Sequence, residues 1–233
     1  MIWLALCKFY VVGVCRPYRR RPQLLTKLTA KDDVMGVAQL DDKIYVVCYS
    51  SSTVEVFAAG SPYNKLKDIE VKDLKYPWDL AVYTETKQLY IADYREVTGV
   101  TECVWRVSLD IQIPIASIAV SANTLSVTSQ RLLVTSDESN KLFLFGADGK
   151  ELKQVQLPDY MNPWHAVENE SHGTFVVCHT GRQQVVSEVD GDGRVLRVYG
   201  DQRGSGPQQL NEPRHVTLDA SLLPTMAITA FCC

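Results

Sequence analysis

The chain has 233 residues, 46% of them apolar and 22% charged, which is enough for a sizeable core and rules out global disorder. A net charge of −3 gives no bulk attraction to nucleic acid, so no DNA-binding role is expected, although a local basic patch is compatible with it. The seven cysteines are odd in number, widely spaced and without a C-x-x-C pair, which excludes a RING, B-box or finger-type zinc module within this polypeptide.

The first segment, 1–31, is apolar over 2–15 apart from Lys8 and Gly13. It is shorter than the ~20 residues a membrane span needs, so no span is expected. Its charge falls in mid-stretch and the basic run 16–21 follows it, whereas a secretory leader opens basic. A strand pair or a stray segment is the expected reading, with Arg19, Arg20 and Arg21 in a solvated loop. Cys48 and Cys178 lie inside apolar runs and read as reduced core thiols, which favours a cytoplasmic setting. Secretion, with residues 2–15 serving as a signal peptide, is the alternative.

Beyond this segment the chain repeats. Four short runs resemble one another: KIYVV at 43–47, QLYIA at 88–92, RLLVT at 131–135 and TFVVC at 174–178. Their first apolar residues, Ile44, Leu89, Leu132 and Phe175, are 45, 43 and 43 residues apart. That period fits a four-stranded propeller blade and is too long for a leucine-rich repeat. The flanks repeat as well. Pro77-Trp78 precedes the second run as Pro163-Trp164 precedes the fourth, and a further copy, PRHVTLD at 213–219, precedes TMAIT at 225–229. The third unit opens differently, on LSV at 125–127.

Third strands are expected at 53–57, 103–107, 141–145 and 184–189. Two of them end in Asp148-Gly149 and Asp192-Gly193, a pair that tolerates the positive φ of a hairpin turn. Fourth strands are expected at 66–71, 152–157 and 195–199. The pattern predicts an all-β chain: a β-propeller of four-stranded antiparallel blades at 33–76, 77–120, 121–162 and 163–212, with a partial blade at 213–233. The propeller domain is thus 32–233, and 23–28 reads as the outer strand of a preceding blade. One such sheet cannot bury both its faces, so neighbours must stack.

The stretch RVYGDQRGSGPQQLNEPRHVTLD at 197–219 resembles a junction between two repeats of the NHL family. It supplies an aromatic-Gly strand end (Tyr199, Gly200), a glycine-rich loop (Gly204, Gly206), then Leu210, Asn211 and Pro213, and a short strand closed by Asp219. LYIAD at 89–93 resembles the family's second strand, and Asp137 is read as closing the equivalent run of the third blade. The family's Asn-x-Arg after the aspartate is missing throughout, and Cys48 and His179 stand near the aspartate's place in the first and fourth blades. The resemblance implies a six-bladed ring of which this chain supplies about four and a half blades, since six need about 260 residues at this period. A fragment, a truncated gene model or a ring completed by another chain would account for the difference. The resemblance also implies a TRIM-like, non-enzymatic scaffold that binds protein or single-stranded RNA across one face, within larger ubiquitin-ligase-type proteins.

In an up-and-down meander, the loop entering strand one and the loop joining strands two and three share an end. That end gathers Trp78, Asp79, Tyr94, Arg95, Glu138, Trp164, His165, His179, Arg182, Arg214 and His215 as the candidate binding face. Trp78 and Trp164 recur at one repeat position and also suit a plug between blades. His165 and His215 recur likewise and also suit satisfied structural histidines. The mixture of acids and bases favours a protein partner over RNA, which needs a more cationic surface. No Gly-x-Ser-x-Gly, His-Glu-x-x-His or phosphate-binding loop occurs, so no catalytic, cofactor or metal residues are expected. The competing reading is a metal-dependent propeller hydrolase or lyase, for which Asp79, His165 and His215 are the only residues placed at the channel mouth.

Overall fold

The computed structural model describes residues 3–6, 11–16, 23–94, 103–111, 113–128, 131–180, 184–200, 202–203, 209–211, 213–219 and 227–232. Among these there are strands and turns and no helix. The chain divides into two compact units, Met1–Val120 and Ser121–Cys233.

The first unit contains three antiparallel sheets. β1 (Trp3–Leu6), β2 (Val11–Arg16) and β3 (Gln23–Thr29) form a three-stranded sheet, so the segment expected as an outer strand is the third strand of a meander. β4 (Val34–Leu40), β5 (Lys43–Cys48), β6 (Thr53–Ala58) and β7 (Ile69–Glu70) form the next, followed by β8 (Pro77–Tyr83), β9 (Gln88–Asp93), β10 (Cys103–Ser108) and β11 (Ile113–Ala119).

The second unit continues the pattern. β12 (Thr124–Val127), β13 (Arg131–Ser136), β14 (Lys141–Gly146) and β15 (Glu151–Gln156) form one four-stranded sheet, and β16 (Asn162–Asn169), β17 (Thr174–Thr180), β18 (Val185–Val189) and β19 (Val195–Tyr199) another. A short parallel pair, β20 (Gln202–Arg203) with β21 (Gln209–Leu210), precedes the antiparallel pair β22 (Pro213–Asp219) and β23 (Ala227–Cys232). Of the run at 225–229, residues 227–229 lie in β23, where Ala227 pairs with Asp219, and 225–226 lie outside the described residues.

The second strands are apolar at nearly every position because both faces are covered. Ile44, Val46 and Cys48 pack with Leu28 and Ala30, while Tyr45 and Val47 pack with Leu80, Leu89 and Ile91 of the following sheet. In the second unit, Phe175 and Val177 pack with Leu133, Leu142 and Leu144, and Val176 and Cys178 pack with Val216. Alternate side chains point to opposite faces of a strand, so within each unit successive sheets pack face to face. This is the stacking a propeller blade requires.

The fourth strand of the first complete sheet is shorter than expected. Instead of a continuous strand over 66–71, the ladder consists of one bridge, Phe57 with Lys65, and the two residues of β7. Side chains hold the interval: Lys65 Nζ lies 2.6 Å from the buried Glu55 carboxylate and Lys31 Nζ 2.6 Å from Asp68.

A bulge recurs near the start of the innermost strands. The register shifts between Val34 and Gly36, Pro77 and Asp79, Pro163 and His165, and Pro213 and His215. These pairs align Met35 with Trp78, Trp164 and Arg214, and Gly36 with Asp79, His165 and His215. Gly36 is required by packing: a Cβ there would lie 2.8 Å from the Leu80 nitrogen and 3.1 Å from the Asp79 backbone. Gly36→Ala must therefore push β4 and β8 apart. It is expected to lower stability by about 1–3 kcal/mol, the usual cost of overpacking, as a reduced urea midpoint with an unchanged slope.

Candidate functional site

The loop end of each blade is organised by a buried residue that closes the second strand. Pairing of that residue with the residue just before the bulge places Cys48, Asp93 and His179 in one position, opposite Val34, Pro77 and Pro163. In the third blade the position belongs to Ser136, which pairs with Lys141 as Asp93 pairs with Cys103. Asp137, expected there from sequence, lies one residue beyond. All four occupants are almost completely buried, and a buried polar group must find partners.

Three of the four find a partner two residues into the third strand. The Asp93 carboxylate accepts the Trp105 Nε1–H at 3.0 Å. His179 Nε2 lies 2.9 Å from Ser187 Oγ. The Cys48 thiol donates to Glu55 Oε1 at 3.7 Å, and burial pushes that thiol up to about 11, so it remains a protonated donor. The acceptors then reach the linker entering the blade. Asp93 accepts the Tyr76 N–H at 2.8 Å and the Lys75 N–H at 3.2 Å, and Glu55 accepts the Lys31 N–H at 2.8 Å. The linker that carries the loop-end side chains is thereby fixed to the sheet beneath it.

In the first unit this linker presents rings. Trp78 and Tyr94 have centroids 6.1 Å apart, and Tyr49 and Tyr76 are 5.7 Å apart. The Tyr94 N–H donates to the Tyr76 carbonyl at 3.0 Å, joining the two pairs. Tyr49 is 43% exposed, and Tyr76, Trp78 and Tyr94 are half-buried. Tyr49 and Tyr76 were absent from the sequence-derived face. The available signal was positional, since Tyr49 follows Cys48 as Tyr94 follows Asp93. Asp79 is buried, with Oδ1 accepting the Leu80 N–H at 2.8 Å.

In the second unit the corresponding end is cationic over aromatic. The Arg214 guanidinium lies 5.1 Å from the Trp164 ring centroid, and Thr124 Oγ1 donates to the Trp164 carbonyl at 2.6 Å. His215 is half-buried and stacks obliquely on His165, with centroids 4.5 Å apart. His165 itself is buried between strands: Nδ1 accepts the Val216 N–H at 3.3 Å and the ring donates to the Leu125 carbonyl. Glu138 is exposed and accepts from Ser121 Oγ at 3.3 Å. Arg95 and Arg182 lie outside the described residues.

The structure therefore separates the candidates into two groups. Trp78 and Tyr94 in the first unit, and Trp164, Arg214 and His215 in the second, reach the surface in part. Asp79, His165 and His179 are interior; the two histidines bond across strands, and Asp79 bonds within its own. Among the described residues, no group of three or more His, Cys, Asp and Glu side chains could hold a metal ion.

No protein-family model matches the chain, and no curated protein matches it. Solved structures do. A functionally unknown protein from Desulfotomaculum acetoxidans superposes with a TM-score of 0.67 at 11% identity, over 94% of this chain and 69% of that one. The hydrazine synthase of Kuenenia stuttgartiensis gives 0.59 at 15% identity, over 71% of this chain and 48% of that one. The WD40 beta propeller domain of Doa1 gives 0.57 at 14% identity, over 72% and 55%. The chain thus spans about half the length of the hydrazine synthase chain it resembles. At these identities the likeness extends to fold alone, and with the stacked four-stranded sheets it makes the fold a β-propeller.

Two outcomes follow from the buried residues that close the second strands. Asp93→Ala leaves the Tyr76, Lys75 and Trp105 donors without their acceptor and should cost about 2–4 kcal/mol in chemical denaturation, whereas Asp93→Asn, which keeps an acceptor oxygen, should cost less. Burial pushes the His179 imidazole down to about 4, from an ordinary 6.5. The folded state therefore favours neutral His179. Its contribution is whole above about pH 6.5 and is lost as pH falls toward 4, amounting to roughly 3 kcal/mol. Denaturation series across this window should show that loss, and His179→Gln should remove its share.

Proposed function

We propose that the chain is a non-catalytic binding propeller that engages a protein partner through the ring-bearing loop end of its first unit. The observation that carries this reading is the group Tyr49, Tyr76, Trp78 and Tyr94, partly exposed and held in place by a linker whose N–H groups are bonded to buried Asp93. Tyrosine and tryptophan give large contact area at low entropic cost and dominate the energetics of protein interfaces. His165, with both ring nitrogens bonded to neighbouring strands, and the buried Asp79, which accepts from the Leu80 N–H, support the same reading. The repeat junction at 197–219 supports assignment to NHL-type propellers, which would make this the recognition part of a larger ligase-type protein. Cys48, Cys103 and Cys178 are buried within strands, packed as small apolar groups, which supports a cytoplasmic setting.

Paired affinity capture with the wild-type chain and a Tyr49→Ser/Tyr94→Ser variant tests this reading. Partner proteins should be lost from the variant by about 30-fold, the effect of a 2 kcal/mol interface residue, while the variant keeps its thermal midpoint. Equal recovery on both chains would contradict the reading. So would submicromolar, salt-sensitive binding of a random single-stranded RNA pool, which would assign the face to RNA.

A further inference from the structure

Three innermost strands of the second unit meet at one imidazole. β16 supplies His165, β12 supplies the Leu125 carbonyl that accepts from it, and β22 supplies the Val216 N–H that donates to its Nδ1 at 3.3 Å. A neutral imidazole has one donor and one acceptor nitrogen. With Nδ1 accepting, the proton sits on Nε2 and both nitrogens are used.

We infer that His165 is a proton-operated latch that holds β22 to β16 when neutral and releases it when protonated. A proton on Nδ1 would set one donor against another at Val216 and place a positive charge in an interior where, among the described residues, no carboxylate is paired with it. The titratable and charged groups around the ring are few. β22 brings His215, with centroids 4.5 Å apart. β17 brings Cys178, the register partner of His165, buried and apolar in its surroundings. β12, spanning Thr124–Val127, has no titratable or charged side chain. The nearby Arg214 lies over Trp164, and Glu168, three residues along β16, is paired with Arg131 at 3.0 Å. Burial and His215 both disfavour an imidazolium here and hold the His165 pKa well below its ordinary value.

The first unit contains the matched case without the latch. Leu80 occupies the place of Val216, but its N–H is taken by Asp79 Oδ1 of its own strand at 2.8 Å, and Gly36 stands where His165 would be. Release of β22 would carry Arg214 off the Trp164 ring and uncover the cluster of Val176, Cys178, Val186 and Val216. This inference rests on strand contacts alone and is independent of which partner the propeller binds.

Amide hydrogen exchange on the full chain tests it, corrected for intrinsic rates. Because the open form binds one more proton than the closed form, Val216 protection should fall about tenfold per pH unit from pH 6.5 downward, about 100-fold by pH 4.5. Any slope at Leu80, whose N–H is bonded to the carboxylate of its own strand, should be unaffected by His165→Gln. In His165→Gln, whose amide offers an acceptor and a donor without titrating, the slope should vanish, and in His179→Gln it should persist. A flat Val216 profile in the wild type, or an unchanged slope in His165→Gln, would overturn the inference. Should His165→Gln fail to fold, ring 15N shifts of the wild type decide: imidazolium formation at His165 with Val216 protection intact contradicts the latch, and the two changing together upholds it.

Discussion

The interaction on which the loop end depends is the hydrogen bonding of the buried residue that closes each second strand. Stacking leaves both faces of that strand in apolar surroundings, so a polar side chain at its end is isolated from water and must be satisfied locally. Asp93 resolves this by accepting from Trp105 across the sheet and from the Lys75 and Tyr76 backbone in the incoming linker. The first blade reaches the same result through Glu55, on the third strand. One buried acceptor thus ties three parts of a blade together, and the rings on the linker inherit the rigidity of the core.

A second constraint applies at the innermost strands, each of which has one edge facing away from its own sheet. The bulge there leaves a backbone N–H that needs an acceptor. At Leu80 the acceptor is the preceding residue's carboxylate, and at Val216 it is an imidazole from the preceding blade. At Leu80 the bond stays within one strand, while at Val216 it joins two blades and depends on an imidazole. Blades of one repeat family can therefore differ in response although their ladders are alike.

Much of this fold was legible in the sequence, for a physical reason. Second and third strands buried on two sides appear as continuous apolar runs, and their 43–45-residue recurrence marks the blade. The Asp-Gly turns were also readable, with Gly149 and Gly193 both at φ 81°. Outer strands were less so: β7 has two residues, and ahead of it the edge is held by the isolated Phe57–Lys65 bridge and by ion pairs from Lys65 to Glu55 and Asp68. The site was readable only as positions. Trp78, Tyr94, Trp164, Arg214 and His215 could be placed at loop ends by the repeat, but burial of Asp79, His165 and His179 depends on contacts that no local pattern encodes. His165 meets Val216 across 51 residues. Tyr49 was missed because the first blade opens on Val34 and Met35 instead of Pro-Trp, which hid its equivalence with Tyr94; Tyr76 has no ring ahead of Pro163 or Pro213 to mark its position.

Through Asp93 the linker bearing the rings is part of the folded core. Native-state exchange of the Tyr76 amide measures this directly. Its protection should be comparable to that of the Ile91 amide in β9, so that both exchange only on global unfolding. A Tyr76 amide exchanging as fast as an exposed loop, with Ile91 protected, would mean that the carboxylate does not hold the linker and that the ring surface is not preformed.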